Sequence, residues 1–359
     1  MAEVSYVSRF TEIGIHDRPS AGGKGASLGE LTAAGIRVPP GCVVTTGAFE
    51  RFLAAIDPDH SIRSEASKLS AGDADAISHF GESARLRMER EPLPDDLRQS
   101  IAEHYNGLHA EASGSDEPVA IRSSATSEDS EQASFAGLQD TYLWVRGADS
   151  VIEHVRKCWA SLYSVESLTY RRRLNLPEEG LAMAVVIQRM VDSRCSGVMF
   201  TRSPNTGDRS VVVLEASWGL GSAVVSGEVT PDKYVISKVT GEIVRRTVSA
   251  KLREHRPNPH GAGVVDLEVP EDRQNVACLS DGEILELVKI AKRVERLYGA
   301  PQDIEFAVAR DFPLEDSLFL LQSRPETVWA TKETAPIASP KRTAVDHVVS
   351  LMSGGSLKR

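Results

Sequence analysis

The segment Val119–Thr141, VAIRSSATSEDSEQASFAGLQDT, governs how the rest of the chain is read. Arg122 leaves a short apolar run and enters a cluster of five hydroxyl residues, Ser123, Ser124, Thr126, Ser127 and Ser130. Small residues close the segment at Ala136-Gly137. Gly and Ser allow close backbone approach, so such a run can bring N–H groups, hydroxyls and a guanidinium onto one polyphosphate. By composition alone, the same run also fits a solvated Ser/Glu loop.

A second stretch points the same way. In Asp303-Ile304-Glu305-Phe306-Ala307, strand alternation sends Ile304 and Phe306 to one face and Glu305 to the other. In Leu321-Gln322-Ser323-Arg324, Gln322 and Arg324 share a face by the same rule. The intervening Arg310–Ser317 run is a hairpin connection, which sets Glu305 near Gln322. A carboxylate and an amide oxygen are hard ligands suited to Mg²⁺, and Arg324 beside them can neutralise a transferring group. An ordinary surface hairpin has the same outline.

Gly22-Gly23-Lys24-Gly25, read as lying just ahead of a helix, can offer backbone donors and an ammonium to phosphate. It is no Walker A loop, because Gly25 follows Lys24 where Ser or Thr would stand. Val185-Val186-Ile187-Gln188-Arg189-Met190-Val191 is an apolar strand broken by one amide, a pattern suited to an adenine site or to a core strand with a polar end.

Elsewhere the pattern predicts a helix over Ala26–Ala34 and one continuous helix over Ser150–Arg173. Strands are expected at Leu181–Val191, Ser196–Thr201 and Val211–Ala216, with a hairpin from Tyr234–Ser237 and Glu242–Val248. Residues 251–279 read as a polar surface excursion carrying solvated His255 and His260. Ser280 and Glu283 form a capping box for a helix that stops at Gly299.

The chain has 359 residues, 41% of them apolar, enough for a substantial core. A net charge of −10 argues against non-specific binding to nucleic acid or to an anionic membrane. The four cysteines form no C-x-x-C pair, which points to a reducing compartment. With no membrane-length apolar run and no leader-like start, the expected location is cytoplasmic.

Taken together, GGKGASLGEL, VAIRSSATSEDSEQASFAGLQDT, EASWGLG, VTPDKY, QDIEFA and LLQSRPET resemble the ATP-binding part of the phosphoenolpyruvate synthase, pyruvate phosphate dikinase and rifampin phosphotransferase group. The resemblance covers about residues 14 to 330 and implies an α+β fold: a two-lobed ATP-grasp-like domain whose mixed sheets clamp the nucleotide. It implies an N-terminal lobe at 1–185, a C-terminal lobe at 186–328 and a linker or docking tail at 329–359. By position it assigns Lys24, Arg122, Gly137, Thr141, Gln188, Glu305, Gln322 and Arg324 to ATP, with Glu305 and Gln322 on Mg²⁺ and Arg122 and Arg324 acting on the transferring group.

Enzymes of this group phosphorylate a histidine carried on a swivelling domain and form AMP and phosphate. The nine histidines here include none in the Gly-Gly-x-x-Ser-His setting typical of that acceptor. The sequence therefore reads as the free-standing ATP subunit of a two-component phosphotransferase, with its tail taken as a natural terminus; the alternatives are the ATP domain of a phosphoenolpyruvate synthase or rifampin phosphotransferase-type enzyme and a non-catalytic nucleotide-sensing subunit. The histidine is expected on a partner subunit in a hetero-oligomer. Split enzymes of this kind resemble phenylphosphate and alkylphenyl phosphate synthases, which makes a phenol the expected small-molecule acceptor.

Overall fold

In the computed structural model, residues 5–110, 116–125, 129–130, 133–134 and 140–329 are described. Strands are β1 (Val7–Arg9), β2 (Gly41–Val44), β3 (Val119–Ala125), β4 (Asp129–Ser130), β5 (Ala133–Ser134), β6 (Thr141–Val145), β7 (Met183–Arg189), β8 (Ser193–Phe200), β9 (Val211–Trp218), β10 (Asp232–Ser237), β11 (Ile243–Thr247), β12 (Arg253–Pro257), β13 (Val264–Glu268), β14 (Gln302–Ala309) and β15 (Leu318–Pro325). Helices are α1 (Arg18–Ala33), α2 (Thr46–Ile56), α3 (Ser61–Lys68), α4 (Ala74–Arg90), α5 (Asp95–Ala110), α6 (Ala148–Ala160), α7 (Val165–Arg173), α8 (Ser222–Val225), α9 (Glu271–Gln274), α10 (Asp281–Tyr298) and α11 (Leu314–Ser317). The chain divides into compact units at Glu326/Thr327, and the first unit carries every described strand. From residue 330 onward, the expected tail lies outside the described residues.

Two sheets organise the first unit. One has the order β1-β2-β7-β3-β6, the other β11-β10-β9-β8-β14-β15. The strand pairings within both are antiparallel, a refinement of the mixed sheets expected from sequence. The 185/186 division falls inside β7, a strand of the first sheet.

Each sheet has its own core. The first buries Phe49, Phe52 and Trp159, with the Phe52 and Trp159 rings stacked at 5.2 Å and the indole N–H donating to Met183 O at 3.0 Å. Burying such rings is the main stabilising term for this lobe, on the order of 2–3 kcal/mol per side chain. On the second sheet, α10 lays Ile284, Leu287, Val288, Ala291 and Val294 against Met199, Leu214, Ile304 and Phe306. Its capping box forms as read, with Glu283 N donating to Ser280 Oγ at 3.3 Å and Ser280 N donating to Glu283 Oε2 at 2.8 Å.

Three expectations change. The helix placed at Ala26–Ala34 is the C-terminal part of α1, and the glycine run expected ahead of it sits at a kink within α1. Gly22 takes φ 68°, ψ 175° there, and a Cβ would meet Ser124 O at 2.1 Å, so conformation and packing both demand glycine. The single helix over Ser150–Arg173 is α6, a 3₁₀ turn and α7, because Ser164 leaves helical geometry and caps α7 through Ser167 N.

The excursion 251–279 is also not a solvated loop. It forms the β12–β13 hairpin and sends Val269, Cys278 and Leu279 into the second core. Lys251 is fully buried there against Asp232, at 2.6 Å. A buried ammonium is tolerated because its partner carboxylate and the Ser249 carbonyl both accept from it.

Candidate functional site

A cleft of about 330 Å³ lies between the two sheets and is lined from both. The first sheet contributes Ala120 and Arg122 of β3, Thr141 and Leu143 of β6, and Gln188 of β7. The second contributes Ser193, Ser196 and Gly197 of β8, Glu305–Ala307 of β14 and Leu321 of β15.

Its charged end is built by strand register. Glu305 and Gln322 lie directly opposite each other on β14 and β15, near one another as the hairpin reading expected. Across the cleft, Arg122 donates through Nη2 to Glu305 Oε2 at 2.9 Å and to Gln322 Oε1 at 2.5 Å. Its Nη1 donates to Leu321 O at 3.1 Å. A carboxylate oxygen and an amide oxygen thus converge on one cationic nitrogen, the arrangement two oxygen ligands would make around a metal ion. Arg122 is mostly buried, so this charge-assisted contact is stronger than a surface pair.

Thr141 sits opposite Arg122 in the β3–β6 register and lines the same cleft. Gln188 is 2% exposed and its Nε2 has no hydrogen-bond partner, the state expected of an amide reserved for a ligand.

Two assigned cations lie off this wall. Lys24 is on α1 close to Cys158, whose thiol burial pushes up while the Lys24 charge pulls against that shift. Arg324 is half exposed, with Nε 3.6 Å from Asp303 Oδ2. Gly137, Thr126 and Ser127 lie outside the described residues.

Of the serines in the opening segment, Ser123 and Ser124 have described side-chain environments, and both are structural in the free chain. Ser123 and Ser124 are buried in β3. Ser124 Oγ donates to Ala21 O at 2.9 Å and accepts from Gly25 N at 3.1 Å, so it ties β3 to the glycine turn. A hydroxyl can satisfy two backbone groups at once, and here that holds β3 and the glycine turn of α1 together.

Sequence reading missed three features. Asp303 lies two residues before Glu305 on the same strand face, a signal that alternation could have given. Burial pushes its carboxyl up to about 6, the Arg324 charge opposes that rise, and Oδ1 has no partner. Ser196 is 1% exposed on the cleft wall, with an unpaired Oγ. His255 is held rather than solvated: Nδ1 lies 2.8 Å from Ser222 Oγ and Nε2 3.2 Å from Glu228 Oε2. It borders an adjoining cavity of about 550 Å³, shared with Tyr142, His154 and Asp266, that meets the cleft at Thr141, Leu143 and Ser222.

Arg194 and Arg202, unassigned from sequence, have structural roles. Arg194 pairs with Glu283 at 2.5 Å, and Arg202 Nε donates to Gly207 O at 2.8 Å. No helix among the described residues is long and apolar enough to cross a membrane.

Two sheets meeting at a cleft, with Arg122 and Glu305 at one end and Gln188 beside the Arg189–Glu117 pair at the other, fit an ATP-grasp-like nucleotide-binding domain. Residues 18–344 match the pyruvate phosphate dikinase, AMP/ATP-binding domain model, and the chain belongs to that family.

A probable phosphoenolpyruvate synthase of Methanothermobacter thermautotrophicus is 42% identical over 337 residues, covering 92% of this chain and 48% of that protein. A phosphoenolpyruvate synthase of Aeropyrum pernix is 38% identical over 361 residues, covering 94% of this chain and 44% of the relative. A rifampicin phosphotransferase of a Streptomyces species is 41% identical over 307 residues, covering 85% and 34%. The chain therefore spans less than half the length of these curated relatives.

Proposed function

We propose that this chain is the ATP-binding catalytic component of a two-component phosphotransferase. In this reading it binds Mg·ATP and delivers a phosphoryl or pyrophosphoryl group to a histidine on a partner subunit. AMP leaves as the pyrophosphoryl group moves, water takes the outer phosphoryl group as phosphate, and the histidine passes the remaining one to a small acceptor such as a phenol. The observation that carries the reading is the convergence of Arg122, Glu305 and Gln322 from facing sheets onto one point of the cleft. Support also comes from relatives named as phosphotransferase and synthase enzymes, which extend well beyond the part this chain matches.

Among the described residues no three His, Cys, Asp or Glu side chains gather into a metal cage. That suits Mg²⁺, which takes one or two protein oxygens and completes its shell with phosphate and water. Glu305 and Gln322 are the residues that would hold it, and its charge would offset that of the phosphates. Arg122 then exchanges those two oxygens for phosphate oxygens. Lys24 and Arg324 add positive charge at the phosphate end, and Gln188 and Thr141 orient the nucleotide. Phosphoryl transfer needs positioning and charge stabilisation more than covalent help.

The test is turnover by the purified chain with Mg·ATP and phenol. The reading expects ATP binding by calorimetry without AMP or phenyl phosphate formation until a histidine-bearing subunit is added. Phenyl phosphate formation by the chain alone would contradict it. The 42% identity to a probable phosphoenolpyruvate synthase favours a second reading, the ATP domain of a synthase of that type. Pyruvate-dependent AMP formation when the chain is joined to such a histidine domain would select it.

A further inference from the structure

At the end of the cleft nearest the β7–β8 linker, two buried polar groups face it from opposite lobes. Gln188 Nε2 comes from β7 and Ser196 Oγ from β8, and neither has a hydrogen-bond partner. The residues are 2% and 1% exposed. Neighbouring hydroxyls on the wall are already engaged. Ser193 Oγ donates to Gly219 O at 3.0 Å, and Ser222 Oγ lies 2.8 Å from His255 Nδ1. A buried polar atom without a partner costs free energy, so Gln188 and Ser196 are held in a state that a ligand relieves.

Register gives their position along the cleft. On β8, Val198 lies opposite Glu305, and Ser196 is two residues further on the same face. On β7, Val186 lies opposite Arg122, and Gln188 is two residues further on the same face. Two strand residues span roughly 6.5 Å. Both unpaired groups therefore stand about that far, along the strands, from the Arg122–Glu305 charges. Ala120, Gly197, Phe306 and Ala307 surround this end, and Arg189, the charged residue on its wall, is already paired with Glu117 at 3.5 Å. A phosphate placed here would have to compete with Glu117 for the Arg189 charge, whereas a neutral group with hydrogen-bonding edges fits without breaking that pair.

We infer that Ser196 is a specificity-determining residue of the cleft, whose hydroxyl pairs with the Gln188 amide from the other lobe to hold the nucleoside end of the bound nucleotide. This rests on the nucleotide-binding reading above. It gives Ser196 a contact with the nucleoside and none with the phosphates, so the hydroxyl should matter only for ligands that carry a nucleoside.

The experiment titrates Mg·ATP and magnesium tripolyphosphate, which lacks the nucleoside, into wild type, Ser196→Ala and Ser217→Ala by calorimetry. Ser217 lies opposite Ser196 on β9 and also has a buried, unpaired hydroxyl, but it is off the cleft wall. The expected result is an affinity for ATP about tenfold weaker in Ser196→Ala. Tripolyphosphate binding should stay at the wild-type level, and Ser217→Ala should match wild type with both ligands. Unchanged ATP affinity in Ser196→Ala, an equal loss for both ligands, or the same loss in Ser217→Ala would overturn the inference. Wild type that binds tripolyphosphate but gains nothing from the nucleoside would overturn it too. Failure of wild type to bind ATP or tripolyphosphate at all would instead overturn the nucleotide-binding reading.

Discussion

The β14–β15 hairpin and the serine-rich segment around β3 make the same promise in sequence and keep it differently. In the hairpin, Glu305 lines the cleft and Gln322, opposite it, meets Arg122 at its edge, close to Glu305 as the hairpin reading expected. In the segment, Arg122 reaches the cleft, while Ser123 and Ser124 turn inward and Ser124 bonds backbone groups of α1. The difference is one of constraint. A strand pair has a period of two and a fixed partner for each residue, whereas a hydroxyl next to a loop can satisfy whichever backbone groups pack beside it.

The largest expected effect tests whether Arg122 belongs functionally with the hairpin. Arg122→Ala should weaken Mg·ATP binding by about two orders of magnitude, the usual cost of removing a preorganised charged contact to phosphate. Calorimetric titration measures it, and a loss of less than about threefold would separate Arg122 from the hairpin. Gln322→Ala should cost about tenfold in the same titration, because it would remove one of the two oxygens proposed to hold Mg²⁺ and leave the carboxylate.

Ser124→Ala sharpens the other side of the comparison. It should lower unfolding stability by about 1–2 kcal/mol, since two backbone groups lose a buried partner. Urea denaturation measures that loss, and an unchanged stability with sharply weaker ATP binding would restore the phosphate-cradling role.

The smallest effect is a pH dependence at Asp303. Its carboxyl is pushed up to about 6, mainly by burial. In the unfolded chain it titrates near the ordinary value of about 3.9. The raised value favours the folded state at low pH and loses that advantage as pH rises through about 6. Asp303→Asn should therefore gain stability relative to wild type above pH 6 and show no such gain at pH 4 in metal-free buffer, compared by urea midpoint. A gain of equal size at both pH values would assign the effect to packing.

Much of this was legible in the sequence. The α10 capping box, its apolar face and the Glu305–Gln322 pairing follow from short-range rules that the structure obeys. The Gly22 kink was not legible, because its cause is the approach of Ser124 from a distant strand. Nor was the burial of Lys251, which depends on Asp232 meeting it across the fold. Ser196 escaped for the same reason: nothing local marks a strand serine as lacking a partner. Local period can be read from sequence, while partners brought together by tertiary packing cannot.

The central claim is that Glu305, with Gln322 across from it, makes nucleotide binding depend on magnesium. The most direct test titrates ATP into wild type and Glu305→Ala, each with Mg²⁺ and with EDTA. The account predicts that Mg²⁺ strengthens ATP binding to wild type at least tenfold and that Glu305→Ala binds ATP equally weakly with or without it. An undiminished Mg²⁺ enhancement in Glu305→Ala would contradict the account.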